Sequence, residues 1–259
     1  MARGISLYVE GQSPLHRSHP LTKATLTLVI IALAFIAPSL PWVLALGLIV
    51  LLLLASAGVL ARFLAILAAL LFPIGALLVI VQGLVNPANH EVLVPLGPLS
   101  LYREGVLVGI LTAARLADLI GATFLFSFTT RPADLAETLM QHGLSPRFGY
   151  VVQSVLQLIP QTLETVDRIR NAQQARGLEI QGRLDRRIRA FLPLMMPVVL
   201  SSLVATQERA MALEVRGFGL KVTRVTRYRI PDSVAQRVLR WALLLLLPLA
   251  LLARLYGWR

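Results

Sequence analysis

The feature that most constrains this chain is a series of apolar stretches, each close to the thickness of a lipid bilayer. A membrane-crossing helix needs roughly 20 largely apolar residues, within a range near 17–25. A first stretch, residues 22–37, is marginal in length, and four others qualify: residues 42–60, 63–85, 105–128 and 234–255. Together they predict an all-α membrane protein with about five transmembrane helices.

The composition agrees with a bilayer as the main solvent of the chain. Hydrophobic residues make up 56% of the sequence and charged residues 15%, whereas a soluble domain averages about 25% charged residues. The net charge is +12, but the basic residues are confined to particular loops and lack interleaved aromatic side chains. We therefore predict contact with the lipid bilayer and no nucleic-acid partner.

The charge bias of the loops predicts the orientation of the chain. Residues 129–231 contain 15 Lys and Arg against 8 Asp and Glu, and the positive-inside rule places such a block in the cytoplasm. Counting crossings back from this block places the N-terminus in the cytoplasm as well. We predict a multi-pass protein of the inner (plasma) membrane with three parts: an N-terminal transmembrane bundle (1–128), a cytoplasmic arm (129–231) and a C-terminal transmembrane helix (232–259).

The cytoplasmic arm is predicted to contain three helices, two of them long, at residues 131–142, 146–176 and 183–216. The second has apolar side chains three or four residues apart, which is the period of an amphipathic helix. The third has an apolar centre at 191–200 that is too short to cross, so we expect it to dip into the bilayer or to pack beneath the bundle. Before the arm, Pro, Gly and short Val/Leu runs at 86–104 predict a small hairpin.

Both long helices of the arm are predicted to end with an arginine followed by a glycine. Glycine takes the left-handed conformation that stops a helix, and a cation in the last turn interacts favourably with the helix dipole. One such end is an ordinary helix stop, but two on one arm can each offer a planar guanidinium to a partner's carboxylate. The candidate partner-binding residues are Ala175, Arg176, Gly177, Glu214, Arg216 and Gly217.

These ends resemble the paired Ala-Arg-Gly signatures in the T components of energy-coupling-factor (ECF) transporters, the CbiQ/EcfT-like family. The closest segments are IPQTLETVDRIRNAQQARG at residues 159–177 and ERAMALEVRGFG at residues 208–219. The resemblance extends over nearly the whole chain, beginning with SPLHR at residues 13–17. Val215 stands where the second signature has alanine, and His19 stands where family members often carry an acidic residue.

The resemblance implies a transmembrane coupling (T) subunit of an ECF-type ABC importer, with no catalytic chemistry of its own. The helix ends of the arm would dock on two ABC-type ATPase subunits. The chain would also support a membrane-embedded substrate-binding S component and transmit ATP-driven motion to it. The cargo, a vitamin or a transition-metal ion, would be chosen by the S component.

One pair of charged residues falls inside a predicted transmembrane helix. Arg115 and Asp118 lie three residues apart and therefore share a helix face, and a lone charge in the membrane is costly. We interpret them as an internal pair that faces the bundle rather than as a proton or ion path. No catalytic, cofactor or metal site is predicted, because His16 and His19 lack a third ligand and the glycine motifs that bind nucleotides are absent.

Two other functions remain open from the residues alone. A conventional ABC-importer permease would line the substrate path itself and use one coupling loop, which the paired arginine ends disfavour. An integral membrane lipid-modifying enzyme would use the basic arm to hold headgroups. Phosphotransfer enzymes need carboxylates or histidines to hold Mg²⁺, and the arm sequence lacks such a cluster.

Overall fold

A computed structural model describes residues 8–9, 11, 13–87, 90–96, 99–178, 184–218, 220 and 231–256. Residues 183 and 219, which bound two of the predicted segments, lie outside the described residues. The helices are α1 (Pro14–Arg17), α2 (Pro20–Ile36), α3 (Leu40–Ser56), α4 (Leu60–Ile66), α5 (Phe72–Val85), α6 (Arg103–Thr129), α7 (Pro132–Gln141), α8 (Pro146–Ala175), α9 (Leu184–Val215) and α10 (Val234–Leu255). A π-helical turn, Leu67–Leu71, joins α4 to α5.

The described residues form two compact units, which are treated separately below. The first, called the bundle, contains the described residues up to Thr138 and those from Pro231 onward. The second, called the arm unit, contains the described residues from Leu139 to Leu220. The bundle therefore contains α1–α6, all of α10 and most of α7. The arm unit contains α8 and α9.

The end of α3 differs from the end predicted by the apolar run. The run continues to residue 60, but α3 ends at Ser56 because Gly58 adopts the left-handed conformation with φ +72°. The N–H groups of Gly58 and Val59 then donate to the carbonyls of Ala55 and Leu54, at 3.0 and 3.1 Å. Hydropathy alone does not locate such a turn, because the glycine stop lies inside an uninterrupted apolar stretch.

Contacts with α6 show that α2 and α5 run antiparallel to it. Lys23, near the start of α2, bonds to Thr129 at the end of α6, and Arg115 bonds to Ala37, just after the end of α2. The α5 contacts also run in opposite order along the two helices: Gly75 with Ala113, Val79 with Gly109, and Gly83 with Val106.

The remaining helices complete an alternating arrangement. α3 runs parallel to α6, since Gly47 and Val50 lie beside Asp118 and Gly121 in the same order. α10 runs parallel to α2, and the contacts at its two ends are Gln236 with His19 and Arg254 with Phe35. Successive crossings in the bundle therefore alternate in direction, with α10 running the same way as α2.

Close approach at glycines holds the bundle together. A Cβ added to Gly109 would lie 2.6 Å from the Cα of Val79, so the backbones of α5 and α6 touch there. Between helices in a bilayer such packing, rather than the hydrophobic effect, drives association. The apolar core lies where α2, α3, α4 and α6 meet, and its members include Ile30, Ala34, Leu46, Val50, Leu54, Phe63, Ala122, Leu125 and Phe128.

The hairpin predicted before α6 is confirmed. Strands β1 (Val92–Leu96) and β2 (Leu99–Tyr102) pair in antiparallel register. At its base, the Arg103 guanidinium lies 3.0 Å from the Glu91 carboxylate, and the Glu91 N–H donates to the Glu104 carboxylate at 3.1 Å. The side chains of Arg103 and Glu91 are more than 60% exposed, so their ion pair contributes at most about 1 kcal/mol.

The three helices predicted between residues 131 and 216 are present. α7 and α8 match their predicted ends to within one residue, and α9 begins and ends within one residue of its predicted range. α8 continues through Pro160, and α9 continues through Pro193 and Pro197.

Among the described residues, four helical stretches are long and apolar enough to cross a membrane: Leu60–Val85, Arg103–Thr129, Ala190–Val215 and Val234–Leu255. α2 and α3 have 17 residues each, at the lower end of the crossing range. Ala190–Val215 belongs to the helix predicted to lie in the arm without crossing. Its apolar window extends beyond the short centre defined from the sequence, so length and composition do not separate it from the crossing helices.

Candidate functional site

The end of α8 holds Arg176 on a helix stop of defined geometry. Gly177 has φ +85°. Its N–H donates to the carbonyl of Gln174 at 2.9 Å, and the N–H of Leu178 donates to the carbonyl of Gln173 at 3.0 Å. This pair of bonds is a Schellman motif, which satisfies carbonyls that a helix end otherwise leaves bare. Arg176 is the last residue before the stop, and it and both its neighbours are exposed.

The end of α9 repeats this geometry around Arg216. Gly217 has φ +70°. Its N–H donates to the carbonyl of Glu214 at 2.9 Å, and the N–H of Phe218 donates to the carbonyl of Leu213 at 3.0 Å. Glu214 and Arg216 are exposed, and Gly217 is half-buried. The two ends therefore have the same backbone motif with arginine at the same position.

The glycine stop itself is not specific to these two ends. Gly58 and Gly143 also have positive φ, and they close α3 and α7 with the same pair of hydrogen bonds. The residues before them are Ala57 and His142, so an exposed arginine is what distinguishes the ends of α8 and α9. Val215, which replaces the alanine of the family signature, is 89% exposed, so no packing within the described arm unit requires a smaller side chain.

Contacts between α8 and α9 place the two arginines at opposite ends of the helix pair. Along α8 the contacts are, in order, Tyr150 with Phe218, Gln161 with Arg209, and Gln173 with Pro193. The α9 partners follow in descending order, so the two helices lie antiparallel. The start of α8 is thus beside the end of α9, with the rings of Tyr150 and Phe218 centred 4.8 Å apart.

This alignment sets the approximate separation of the two arginine residues along the helix pair. Phe218 follows Arg216 by two residues and packs on Tyr150, so the second arginine lies near the start of α8. Arg176 follows Tyr150 by 26 residues along α8, which corresponds to roughly 39 Å along the helix axis at about 1.5 Å per residue. The arm unit therefore displays two exposed arginines roughly one helix length apart, which sequence reasoning did not predict.

The ion pair predicted between Arg115 and Asp118 does not form. Nη2 of Arg115 donates to the carbonyl of Ala37 at 2.9 Å, at the end of α2. Asp118 turns to α3, where a Cβ added to Gly47 would lie 2.8 Å from its Oδ1. Three residues of spacing bring two side chains within reach, but here the terminal carbonyl of α2 offers the guanidinium a better-placed acceptor.

Sequence reasoning assigned no role to Lys23, which closes the end of α6. Its Nζ donates to the carbonyls of Thr129 at 2.6 Å and His16 at 3.0 Å, and the residue is only 6% exposed. The N–H of Val9 donates to the carbonyl of Phe128 at 3.0 Å. The last carbonyls of a helix lack partners within it, and a cation suits that end. The signal in the sequence was a single lysine in the first turn of an apolar helix.

The start of α10 is tied to the same N-terminal segment through His19. The N–H of His19 donates to Oε1 of Gln236 at 2.9 Å, and its Nδ1 lies 3.3 Å from Nη1 of Arg240. Arg240 also donates to the carboxylate of Asp232. Burial would raise the pKa of Asp232, but the hydrogen bond and charge of Arg240, with the charges of His19 and Arg237, outweigh it and hold that pKa below its usual value.

The neighbouring histidine serves a different contact. The ring of His16 bonds to the carbonyl of Val9 at 3.1 Å and to the hydroxyl of Ser13 at 2.8 Å. Burial lowers the pKa of His16, and the charge of Lys23 lowers it further. Within the described part of the chain, no three His, Asp or Glu side chains are grouped as metal ligands.

Comparison with known proteins identifies relatives over most of the chain. A family model described as a cobalt transport protein, CbiQ, matches residues 11–228. A relative from Heliobacterium modesticaldum named energy-coupling factor transporter transmembrane protein EcfT is 32% identical over 230 residues, covering 83% of this chain and 85% of the relative. Proteins of the same name from Listeria innocua and Bacillus subtilis are 29% and 28% identical, covering 97% and 83% of this chain and 96% and 84% of their own lengths.

Proposed function

We propose how the arm works from the premise that this chain belongs to the CbiQ family, as the transmembrane (T) component of an energy-coupling-factor transporter. In this proposal residues 129–231 form a cytoplasmic arm, residues 1–128 and 232–259 form the membrane part, and the N-terminus faces the cytoplasm. The arm docks on two ABC-type ATPase subunits, and the chain supports a membrane-embedded S component. The chain performs no catalysis itself.

The observation that carries the proposal is the placement of two like arginine ends at opposite ends of one antiparallel helix pair. A partner made of two ATPase subunits has two similar docking grooves set apart in space. Two Arg-Gly ends with the same backbone geometry, separated by roughly 39 Å, suit one groove each. Two arginines side by side would instead suit a single anionic site. The exposure of Arg176 and Arg216 leaves both available to a partner.

The local geometry also suits docking. A Schellman motif fixes the backbone on both sides of each arginine, so a partner orders little more than the side chain itself. The guanidinium offers a planar fork that matches a carboxylate. Once such a pair is buried, truncating one member costs about 2–5 kcal/mol, largely because the other charge is left unpaired.

The cargo belongs to the S component in this proposal. Motion of the ATPases reaches the S component through the arm, and substrate is recognised by the S component rather than by the bundle. The expected substrate class is a vitamin or a transition-metal ion. A change of cargo would accordingly require a different S component and no change in the arginine ends.

The test is the double substitution R176A/R216A in the complex purified through this chain and placed in lipid nanodiscs. We expect the ATPase subunits retained per T chain to fall by at least about tenfold, which corresponds to 1.4 kcal/mol. Single substitutions should be milder, because one docked end keeps the other close to its groove. Lysine at either position should restore retention only in part, since it keeps the charge but loses the fork.

A matched control removes two positive charges from the arm unit away from the two helix ends. Arg168 and Arg170 are exposed on α8, and Arg168 has only a 3.8 Å contact to the exposed Glu164. The R168A/R170A variant should retain its ATPases. If the R176A/R216A complex keeps its ATPases as well as the control does, these ends are helix stops only and the docking proposal is wrong.

A further inference from the structure

Asp118 is a buried carboxylate in the middle of the bundle. It is 3% exposed, and its Oδ2 has no hydrogen-bond partner among the described residues. Asp118 lies two residues past the midpoint of α6, and its neighbour Gly47 lies one residue before the midpoint of α3. A polar group left unpaired at this depth is costly, so a charged or polar side chain here calls for a partner.

A cavity lies directly beside this carboxylate. Its volume is about 310 Å³, and apart from Asp118 its lining is apolar or glycine, including Phe63, Leu67, Leu44 and Leu48. Leu44 and Leu48 are exposed on α3, so the cavity borders the outer surface of the bundle. Leu67 begins the π-helical turn between α4 and α5, an irregularity found frequently at functional sites.

The chemistry of the cavity narrows what can fill it. A divalent cation needs several oxygen ligands, and Asp118 is the only acidic residue in the lining. A water molecule needs two to four polar partners to be held, which the apolar walls do not supply. Lipid at this depth contributes hydrocarbon chains without hydrogen-bond donors. What fits is an apolar protein segment carrying one hydrogen-bond donor at mid-membrane depth.

We propose that the cavity beside Asp118 receives a transmembrane helix of the membrane-embedded S component, and that a donor side chain of that helix bonds to the Asp118 carboxyl group. This proposal rests on the function proposed above. The donor is a hydroxyl, amide or indole N–H, and the flanking apolar side chains of the partner pack on Leu44 and Leu48. Gly47 keeps the approach open, because a Cβ there would lie 2.8 Å from Oδ1 of Asp118.

The first experiment removes the acceptor from the complete complex. D118L, D118N and wild type are purified through this chain, and the S component and ATPases retained per chain are measured by quantitative mass spectrometry. We expect D118L to lose the S component by at least about tenfold and to keep its ATPases. D118N should retain most of the S component, since the amide oxygen of asparagine still accepts a hydrogen bond. The isolated full-length D118L chain should unfold at the same or a higher temperature than the wild-type chain, because a buried unpaired carboxylate has been removed.

A second pair of variants tests the cavity without touching Asp118. L48W should fill the cavity mouth and lower S component retention, whereas L77W, at an exposed position on α5 outside the lining, should not. Because the chain has no cysteine, a photoreactive crosslinker on L48C labels this site alone. Its adduct should map to a transmembrane helix of the S component.

The outcomes separate this inference from the function on which it rests. Loss of ATPases from wild type would count against the coupling role itself. Normal S component retention by D118L and L48W, with ATPases bound, would overturn the cavity proposal and leave the coupling role standing. Crosslinks only to lipid or to a second copy of this chain would overturn it as well.

Discussion

Replacing Lys23 by methionine should loosen the end of α6 while leaving its apolar packing in place. Methionine has a similar length but no donor, so the carbonyls of Thr129 and His16 both lose the ammonium group. Each buried carbonyl left unpaired costs about 1–3 kcal/mol. The substitution also removes the cost of burying the ammonium group, which offsets part of this destabilisation. We expect a net destabilisation of about 2 kcal/mol.

Thermal unfolding in detergent measures this change. For a unit of this size about 1 kcal/mol shifts the melting temperature by roughly 2–4 °C, so K23M should melt about 4–8 °C below wild type. Hydrogen exchange should rise locally in peptides that cover the end of α6 and the segment around Val9. K23R should be intermediate, because it keeps the charge but places a larger group in the same space.

The control is T25V, two residues away on the same helix. The Thr25 hydroxyl donates to the carbonyl of Leu21 at 2.8 Å, and a hydroxyl bonded back to its own helix adds little stability. T25V should melt within about 1 °C of wild type. If K23M matches T25V in melting temperature and in local exchange, Lys23 is not closing the helix end.

Two further predictions concern charge at the membrane surface. Because the folded state holds the pKa of Asp232 below its usual value of about 3.9, the stability from its contacts with Arg240, Arg237 and His19 is present above that value. This stability is lost as the pH falls through the lower folded pKa. In D232N the melting temperature should therefore fall less steeply than in wild type between about pH 5 and 2, and an unchanged pH dependence of the melting temperature would contradict this. A single cysteine at Gln174, exposed on the arm, should react with an impermeant maleimide only in inside-out vesicles, and labelling of intact cells would overturn the predicted orientation.

Much of the architecture could be predicted from the sequence because it depends on local chemistry. The stops at Gly177 and Gly217 follow from glycine's access to positive φ, and the structure confirms both. The hairpin before α6 and the helices of the arm follow from turn residues and periodicity. The resemblance to ECF T components is confirmed by relatives over most of the chain.

The parts that escaped prediction depend on contacts between distant residues. The sequence predicted α8 and α9 separately, but their antiparallel register depends on pairs such as Tyr150 and Phe218. The Arg115–Asp118 pair was wrong for the same reason, since spacing along one helix says nothing about the carbonyl of Ala37 on another. A sequence pattern predicts which side chains within one helix can contact each other. Which residue of another helix a side chain contacts depends on how the helices pack.

The contacts of the N-terminal segment hold the end of α6 and the start of α10 to the start of α2. The chain leaves α6 for α7 and the arm unit just after Thr129, and it re-enters the bundle just before α10. Lys23 bonds at the first of these points, and His19 is linked through Gln236 and Arg240 at the second. These two residues are four positions apart, so one short segment holds both points. Displacing either point alone would break buried polar contacts, whereas displacing both together with the N-terminal segment would keep them. In the proposed coupling role, we therefore expect the end of α6 and the starts of α2 and α10 to move as one piece.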